Sequence, residues 1–400
     1  MQPRRIADDI YWVGINDRQS DLFEGLWPIK EHGVSINSYV LLDEKNVIVD
    51  LSCELMSERY IHKLKEVVDL EKVDYIILNH MEPDHTGALP EIRAQVPNAV
   101  FLGTAKACEI AANFYDLRDN FRVVEDGEEL KIGKRTLRFY SIPFVHWPET
   151  MATYAVEDQI LFPCDAFGGY GALPGILFDD QCADLAFMES EAMRYYVNIV
   201  GTHSSNAKKA IEKLRPVPLK TIAPSHGLVW RKNPERIYEL YSKLSNYPDG
   251  KREKAATLIF GSMYGNTRTF AEAVMQAVAE EGLPMEVFDV NTIHASYILP
   301  SLWKNEGVIV CAPTYEGALF PIMTNVLNIA KVKKVQKRTA AYFGSYAWGS
   351  MAKKQIETYC TEQKWNLIEN YQFFGKPKAA DFEMIPAFAK KFADAVRMAS

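Results

Sequence analysis

The chain is 400 residues long, enough for two or three domains that each bury a core of their own. Hydrophobic residues make up 48% of it and charged residues 24%, the proportions of an ordinary globular protein. A formal net charge of -7 leaves no surplus of Lys and Arg to displace phosphate counterions, which argues against a nucleic-acid binder. Arg4 and Arg5 have no apolar stretch behind them, so no secretory leader is expected, and no run is long enough to cross a membrane. The six cysteines are scattered without a C-x-x-C pair, which fits reduced thiols in a cytoplasm and a core-filling role.

In chain order, residues 10–13, 35–42 and 46–50 read as strands of a mixed sheet, separated by short charged or Gly-containing turns. Helical spacing follows over residues 54–68, with Leu55, Tyr60, Ile61, Leu64 and Val67 on one face. The apolar run 75–78 predicts a buried strand, 87–94 a helix, 99–103 another strand, and a helix then runs through Phe114. From Phe121 to Phe162 the chain is β-rich, with a hairpin signal at Ile132-Gly133-Lys134-Arg135.

His80, Glu82, Asp84 and His85 come directly after the 75–78 strand. Strand alternation carries His80, Glu82 and Asp84 off its end on one side, with Pro83 keeping the turn extended and His85 turning onto the next helix. A polar turn after a strand is ordinarily solvated loop. The H-x-E-x-D-H spacing, in which every residue is a metal-competent type, points instead to metal, and to two ions side by side. His146, Asp165 and His226 each stand after a short apolar run and close to Gly or Pro. In a layered α/β fold such strand ends converge on one rim, where sites form. His32, His62, His203 and His294 lack a second ligand type at that spacing and read as hydrogen-bonded or solvated. Of these, His32 is the one able to reach a site entrance.

Residues 231–245 carry a helical pattern through Ile237, Leu240, Tyr241 and Leu244. The charged, turn-forming stretch 246–254 then marks a boundary, giving domains 1–249 and 250–400. Beyond it, strands at 256–260, 285–289, 307–311, 339–343 and, more weakly, 366–374 alternate with helices, the last near 381–398. That alternation implies a parallel sheet with helices on both faces.

After the first of those strands, Ser262, Met263, Tyr264, Gly265, Asn266 and Thr267 lead into a helix over 268–280. Small residues there let backbone N–H groups close around an anion at the helix N-terminus. The stretch is neither G-x-G-x-x-G nor G-x-x-x-x-G-K-[ST], so dinucleotide and nucleoside-triphosphate readings lose ground. Two later loops, Pro313, Thr314, Tyr315, Glu316, Gly317 and Ser345, Tyr346, Ala347, Trp348, Gly349, set aromatic residues beside Gly. A planar ring between them, with its phosphate on the first loop, describes a mononucleotide flavin such as FMN; a protein-partner surface is the other reading.

Together the two halves resemble the flavodiiron proteins, in which a metallo-β-lactamase-like αββα sandwich precedes a flavodoxin-like, doubly wound parallel sheet. The pattern H-x-E-x-D-H, then His, Asp and His, is met by His80, Glu82, Asp84, His85, His146, Asp165 and His226. Met263 and Tyr264 depart from the flavodoxin phosphate loop, where Thr is frequent, which spares the backbone cradle but leaves side-chain contacts open. The resemblance implies one iron at His80, Glu82 and His146, a second at Asp84, His85 and His226, and Asp165 bridging them. Glu82, Asp84 and Asp165 are then the carboxylates expected to carry the chemistry. Nitrogen and oxygen donors throughout suit two non-haem iron ions.

The resemblance further implies FMN flanked by Tyr315, Tyr346 and Trp348, and a rubredoxin-like or other external electron donor. It also implies a head-to-tail homodimer, or a dimer of such dimers, in the cytoplasm. The expected reaction is reduction of dioxygen to water, of nitric oxide to nitrous oxide, or both. Residues 168–173 are expected to influence the choice of gas. The competing reading is a zinc-dependent hydrolase with a flavodoxin-like docking domain, because zinc hydrolases of the wider superfamily carry H-x-H-x-D-H. Zinc has no redox function and would leave a flavin domain without purpose.

Overall fold

Two mixed sheets make the first half of the chain. The computed structural model describes residues 2–250 and 252–399. In spatial order the larger sheet runs Arg4–Ala7, Ile10–Trp12, Tyr39–Leu41, Asn46–Val49, Val73–Ile77, Val100–Gly103 and Phe121–Val123. Its first four strands pair antiparallel, and from Asn46–Val49 onward the pairing is parallel. The smaller sheet holds Glu129–Lys131, Thr136–Ser141, Met151–Ala155, Ile160–Phe162 and Thr221–Ile222, with only the last pair parallel.

Both faces of the larger sheet are covered, so Val47, Ile48 and Val49 are all buried and the strand reads as a continuous apolar run. On one face Val40, Ile48, Ile76 and Phe101 share a core with Tyr60, Leu64, Leu89 and Ile92 from helices Ser57–Lys65 and Leu89–Arg93. On the other the Tyr39 ring meets Phe162 of the smaller sheet, centroids 5.0 Å apart.

Several elements differ from the sequence expectation, and side-chain chemistry accounts for the main one. Residues 35–42 are not a single strand. Val34–Ile36 pairs with Ile15–Asp17 in a separate ribbon, while Tyr39–Leu41 joins the large sheet. Asn37 and Ser38 form the break because their side chains bond elsewhere. Trp12 Nε1 donates to Asn37 Oδ1 at 2.8 Å, and Asn37 Nδ2 donates to the carbonyls of Pro224 and Gly227 at 2.8 and 3.0 Å. Ser38 Oγ donates to Asp50 O at 2.8 Å. The expected helix over 54–68 opens with a tighter turn, Glu54–Met56, before Ser57–Lys65. That change of pitch rotates Leu55 off the buried face, leaving it 64% exposed.

The chain divides into two compact units, Met1–Ser245 and Asn246–Ser400, the break falling at the end of helix Pro234–Asn246. In the second unit five parallel strands lie in the order Met285–Asp289, Glu253–Phe260, Asn305–Cys311, Thr339–Tyr346 and Asn366–Phe374. Counted by sequence this is 2-1-3-4-5, the doubly wound order. Helices Asn266–Glu280 and Ile385–Met398 cover one face, where Phe270, Val274, Phe388 and Phe392 pack on Leu258, Ile309 and Phe343. Helix Ala295–Lys304 lies against strands Glu253–Phe260 and Asn305–Cys311 and buries Ile298 and Leu302.

The second strand of this sheet's central pair begins earlier than the apolar run suggests, at Asn305, where buried Glu306 pairs with Arg252 at 2.7 Å. Thr339–Tyr346 continues past Phe343, so Ser345 and Tyr346 sit on a strand end rather than in a loop. The closing helical stretch is two helices, Ala379–Phe382 and Ile385–Met398. Among the described residues no helix is long and apolar enough to cross a membrane. All six cysteines are free.

Candidate metal centre and flavin site

Strand Val73–Ile77 ends before His80, so strand alternation does not aim the first ligands. Asn79 does the anchoring instead. Its backbone N and Nδ2 donate to Asp50 Oδ1 and Oδ2 at 2.8 and 3.0 Å, and its Oδ1 accepts from Thr153 Oγ1 at 2.8 Å. Pro83, expected to keep the turn extended, opens the one-turn helix Pro83–Thr86 with Glu82 before it as N-cap. Its fixed φ suits a first helical position, and the turn it starts carries Asp84 and His85 side by side. The helix expected over 87–94 begins only at Leu89. Gly87 lies between the two helices, where a Cβ would stand 2.4 Å from Glu54 N and 2.6 Å from Pro83 O.

His146 is in the loop between strands Thr136–Ser141 and Met151–Ala155, not at a strand end. There the N–H groups of Phe144 and Thr150 both donate to Trp147 O, at 2.6 and 3.3 Å. Asp165 follows strand Ile160–Phe162 in a tight turn in which Gly168 N donates to Asp165 O at 3.0 Å. His226 follows Thr221–Ile222, and the next residue, Gly227, has a φ of +78° with Gly169 backbone 3.2 Å from where a Cβ would be. Only glycine suits both conditions.

These loops bring all seven expected ligands together. Ligand atoms of His80, Glu82, His146 and Asp165 lie within 4.8 Å of one another, and so do those of Asp84, His85 and His226. Asp165 faces both groups. Its Oδ2 is 3.3 Å from His80 Nε2 and 3.4 Å from His146 Nε2, while Oδ1 is 3.1 Å from His85 Nε2 and 3.4 Å from His226 Nε2. Glu82 Oε2 completes the first group, 2.9 Å from His146 Nε2 and 3.4 Å from His80 Nε2. Asp84 Oδ2 completes the second at 3.3 Å from His85 Nε2 and 3.2 Å from His226 Nε2.

The donor set fits metal by a direct test. Both oxygens of Asp84, Asp165 Oδ2 and His226 Nε2 are buried without a well-angled hydrogen bond. Leaving such atoms unsatisfied costs about 1–3 kcal/mol each. Atoms this close that do not bond to each other are aimed at a common point between them, where a cation would satisfy all at once. The outer ring nitrogens agree. His80 Nδ1 is 2.6 Å from Glu149 Oε1, and His226 Nδ1 is 2.7 Å from Ser35 O. A carboxylate or carbonyl oxygen accepts, so each Nδ1 holds the proton and each Nε2 turns its lone pair inward.

Electrostatics sharpen the same point. Burial pushes the His80 imidazole down, but Asp165, Glu149 and Glu82 outweigh it and hold the ring well above its usual range. Burial likewise opposes His226, which Asp165 and Asp84 raise to about 10. Burial favours the neutral acid at Asp165, yet His85, His80 and His226 hold it well below the ordinary carboxylate range. Paired with His146 and His80, the Glu82 carboxyl is also lowered against its burial. Without a metal the carboxylates therefore draw protons onto the imidazoles, a positive charge that a bound cation would replace.

Sequence reasoning missed the residues around the ligands. Glu149 and Asp50 are buried carboxylates that hold His80 and Asn79, but they lie 69 and 29 residues away, and no spacing rule links them. Aromatic rings wall the site: Phe23 and Tyr195 lie 5.5 and 5.3 Å from the His226 ring, and Trp147 lies 5.1 Å from His80. Within the 168–173 loop, Tyr170 packs behind Phe23 at 5.6 Å. Cys164, expected as core filler, abuts His85 and Asp165. Burial, with Asp50 and Asp165 nearby, pushes its thiol well up, so it stays protonated.

The other four histidines lie outside these clusters. His32 packs edge-on against Phe187 at 4.7 Å, and His203 lies 5.2 Å from Phe144. His62 is exposed beside Glu66 at 3.3 Å, and His294 Nδ1 accepts from Ser296 N at the start of a helix.

In the second unit a cavity opens at the carboxyl ends of strands Glu253–Phe260, Asn305–Cys311 and Thr339–Tyr346. Ser262, Met263, Tyr264, Asn266, Thr267, Pro313, Thr314, Ser345, Tyr346, Ala347, Trp348 and Gly349 line it, together with Gly375. Gly265, Tyr315, Glu316 and Gly317, expected there, do not. Gly265 shapes the loop instead: it caps helix Asn266–Glu280 at a φ of +89° and donates its N–H to Ser262 Oγ at 3.0 Å. Tyr315 belongs to the small hairpin Thr314–Tyr315 with Ala318–Leu319, and Glu316 and Gly317 form its turn. Gly375 was not anticipated because it follows the edge strand Asn366–Phe374, where no loop motif marks it.

The cavity fits a flavin mononucleotide in kind. First-turn N–H groups of helix Asn266–Glu280 have no intrahelical acceptor and can meet a phosphate. Thr267 Oγ1 and Ser345 Oγ stand 3.0 Å apart beside them. Trp348 and Tyr264, 70% and 90% exposed, offer open ring faces.

Residues 34–227 match the family described as ODP family beta lactamase, and residues 258–383 match flavodoxin. The chain is 33% identical to a nitric oxide reductase of Moorella thermoacetica over 370 residues, 92% of either chain. Among solved structures it resembles the rubredoxin oxygen:oxidoreductase from Desulfovibrio gigas, with a TM-score of 0.94, 26% identity and 99% of both chains covered. The flavodiiron protein from Giardia intestinalis gives the same score and identity, over 99% of this chain and 97% of that one.

Proposed function

Since this chain belongs to the flavodiiron protein family, we propose that it reduces dioxygen to water, nitric oxide to nitrous oxide, or both. The observation that carries the reading is Asp165, with one carboxylate oxygen toward each three-residue group. His80, Glu82 and His146 would hold one iron, Asp84, His85 and His226 the other, with Asp165 facing both groups. This centre belongs to the Met1–Ser245 unit and the FMN to the Asn246–Ser400 unit. When bound, two ferrous ions and one reduced flavin supply the four electrons that dioxygen needs, or the two that couple a pair of nitric oxide molecules.

The chain's own residues set the conditions. Glu82, Asp84 and Asp165 bring the negative charge that stabilises higher oxidation of the metal. Phe23, Trp147 and Tyr195 keep the surroundings apolar, which suits a small uncharged gas and excludes bulk water. Helix Asn266–Glu280 would receive the FMN phosphate, with Tyr346 and Trp348 available to flank its ring. Electrons come from an external, rubredoxin-like donor. The Desulfovibrio gigas relative's name couples rubredoxin to oxygen in the same sense. A head-to-tail homodimer, or a pair of such dimers, sets each flavin beside the partner's irons. Six free thiols fit a cytoplasmic setting.

Anaerobic purification followed by metal and flavin analysis is the test. The expected result is two irons and one FMN per chain, with gas consumption driven by reduced rubredoxin. Zinc in their place, with hydrolytic turnover and no gas uptake, overturns the reading in favour of the hydrolase.

A further inference from the structure

The imidazoles of the two groups are treated unequally at their outer nitrogens. His80 Nδ1 faces the Glu149 carboxylate at 2.6 Å. His226 Nδ1 faces only the Ser35 carbonyl, and His85 Nδ1 is buried with no hydrogen-bond partner. One ring is thus hydrogen-bonded to a full negative charge, another to a dipole, and a third to nothing, with Asp50 acting on it only through space.

Glu149 is built for this position. Its side chain is fully buried, and its Oε1 also accepts the Met81 N–H at 2.9 Å. Thr104 Oγ1 donates to its backbone carbonyl at 3.0 Å, fixing the loop from the other side. Among the described residues its only ion pair is with His80. Burying a carboxylate with no Lys or Arg in ion-pair reach is unfavourable unless a cation bound at the far nitrogen of the ring it faces supplies the compensating charge. A carboxylate behind a ligating histidine fixes the tautomer and makes the inward nitrogen a stronger donor. The first group then has Glu82, half of Asp165 and the ring-bonded Glu149; the second has Asp84 and the other half of Asp165, with buried Asp50 near His85 but bonded to Asn79 and not to a ring.

We propose that Glu149 is a positioning residue that makes the two iron centres unequal. Through His80 it causes the ion at His80, Glu82 and His146 to be bound more tightly, and to favour its ferric state more, than the ion at Asp84, His85 and His226. The inference deepens the diiron reading and rests on it.

Glu149→Gln separates this role from simple anchoring of the loop. An amide oxygen still accepts from both Met81 N and His80 Nδ1, so shape and hydrogen bonds survive while the charge is lost. Apoprotein is titrated anaerobically with ferrous iron, followed by redox titration and Mössbauer spectroscopy of the iron-57 form. Wild type is expected to fill in two steps. In E149Q the tighter site weakens by about 10- to 100-fold while the other changes less than about twofold. The first oxidation also moves to a more positive potential.

A measurement on wild type alone guards against a variant that does not fold. One equivalent of iron-57 per chain gives a single quadrupole doublet if the sites are unequal, and two equal doublets overturn the proposal. Equal weakening of both sites in E149Q, or weakening of neither, overturns it as well, while the diiron reading stands. Wild type that binds no iron pair at all brings down the diiron reading itself.

Discussion

The metal centre of the first unit and the flavin cleft of the second are specified in different ways. The centre is made of side-chain atoms, seven donors from four loops, each with its own anchoring bonds. The cleft is made largely of backbone: a helix N-terminus, a glycine held at positive φ, and loops that follow adjacent parallel strands. A site of the first kind fails when one residue changes. On the proposed reading, a site of the second kind tolerates Met263 and Tyr264 in the loop expected to hold the phosphate, because peptide N–H groups would do the binding.

The largest expected effect tests the first half of that contrast. Asp165→Asn keeps the shape but replaces one donor oxygen by an NH2 group that cannot ligate. Iron should fall to one ion or fewer per chain, and gas reduction by more than about 100-fold, since even outer partners of ligands cost 10- to 100-fold. FMN content should stay unchanged by absorbance. An intact iron pair in this variant would remove Asp165 from its bridging role. A middle-sized effect tests the other half: Trp348→Ala should weaken FMN binding by roughly 2- to 10-fold, the worth of about 0.5–1.5 kcal/mol of ring contact. Fluorescence titration measures it, and iron content should not move. The smallest is Tyr315→Ala, which should change FMN affinity by less than about twofold, as for a substitution away from the site. A loss equal to that of the Trp348 variant would mean that the cavity walls are misplaced.

The same contrast decides what the sequence could disclose. His80, Glu82, Asp84, His85, His146, Asp165 and His226 were legible because metal donors belong to few residue types and stand at loop positions after apolar runs. The parallel strands of the second unit were legible for a related reason, since burial on both faces leaves unbroken apolar runs. Glu149 and Asp50 were not, because an outer carboxylate is recognisable only by what it touches. Backbone cradles hide differently. Gly265, expected to let the phosphate loop close around an anion, shapes that loop without lining the cavity, and Gly375 enters the cavity only because of where the edge strand ends. The break at Asn37 and Ser38 was invisible for want of their partners, and the short helix at Pro83 because proline permits both an extended turn and a helix start.

Asn37 has a bearing on when this protein can be completed. Its amide binds the carbonyls of Pro224 and Gly227, 187 and 190 residues further along. Synthesis delivers the chain from its N-terminus, so that clasp waits until the segment bearing His226 has left the ribosome. Until then His80 to His85 are already made but lack the imidazole that finishes the second group. The receptor for the full iron pair is therefore complete only once most of the first unit has been made, and a nascent chain interrupted before His226 carries an incomplete one.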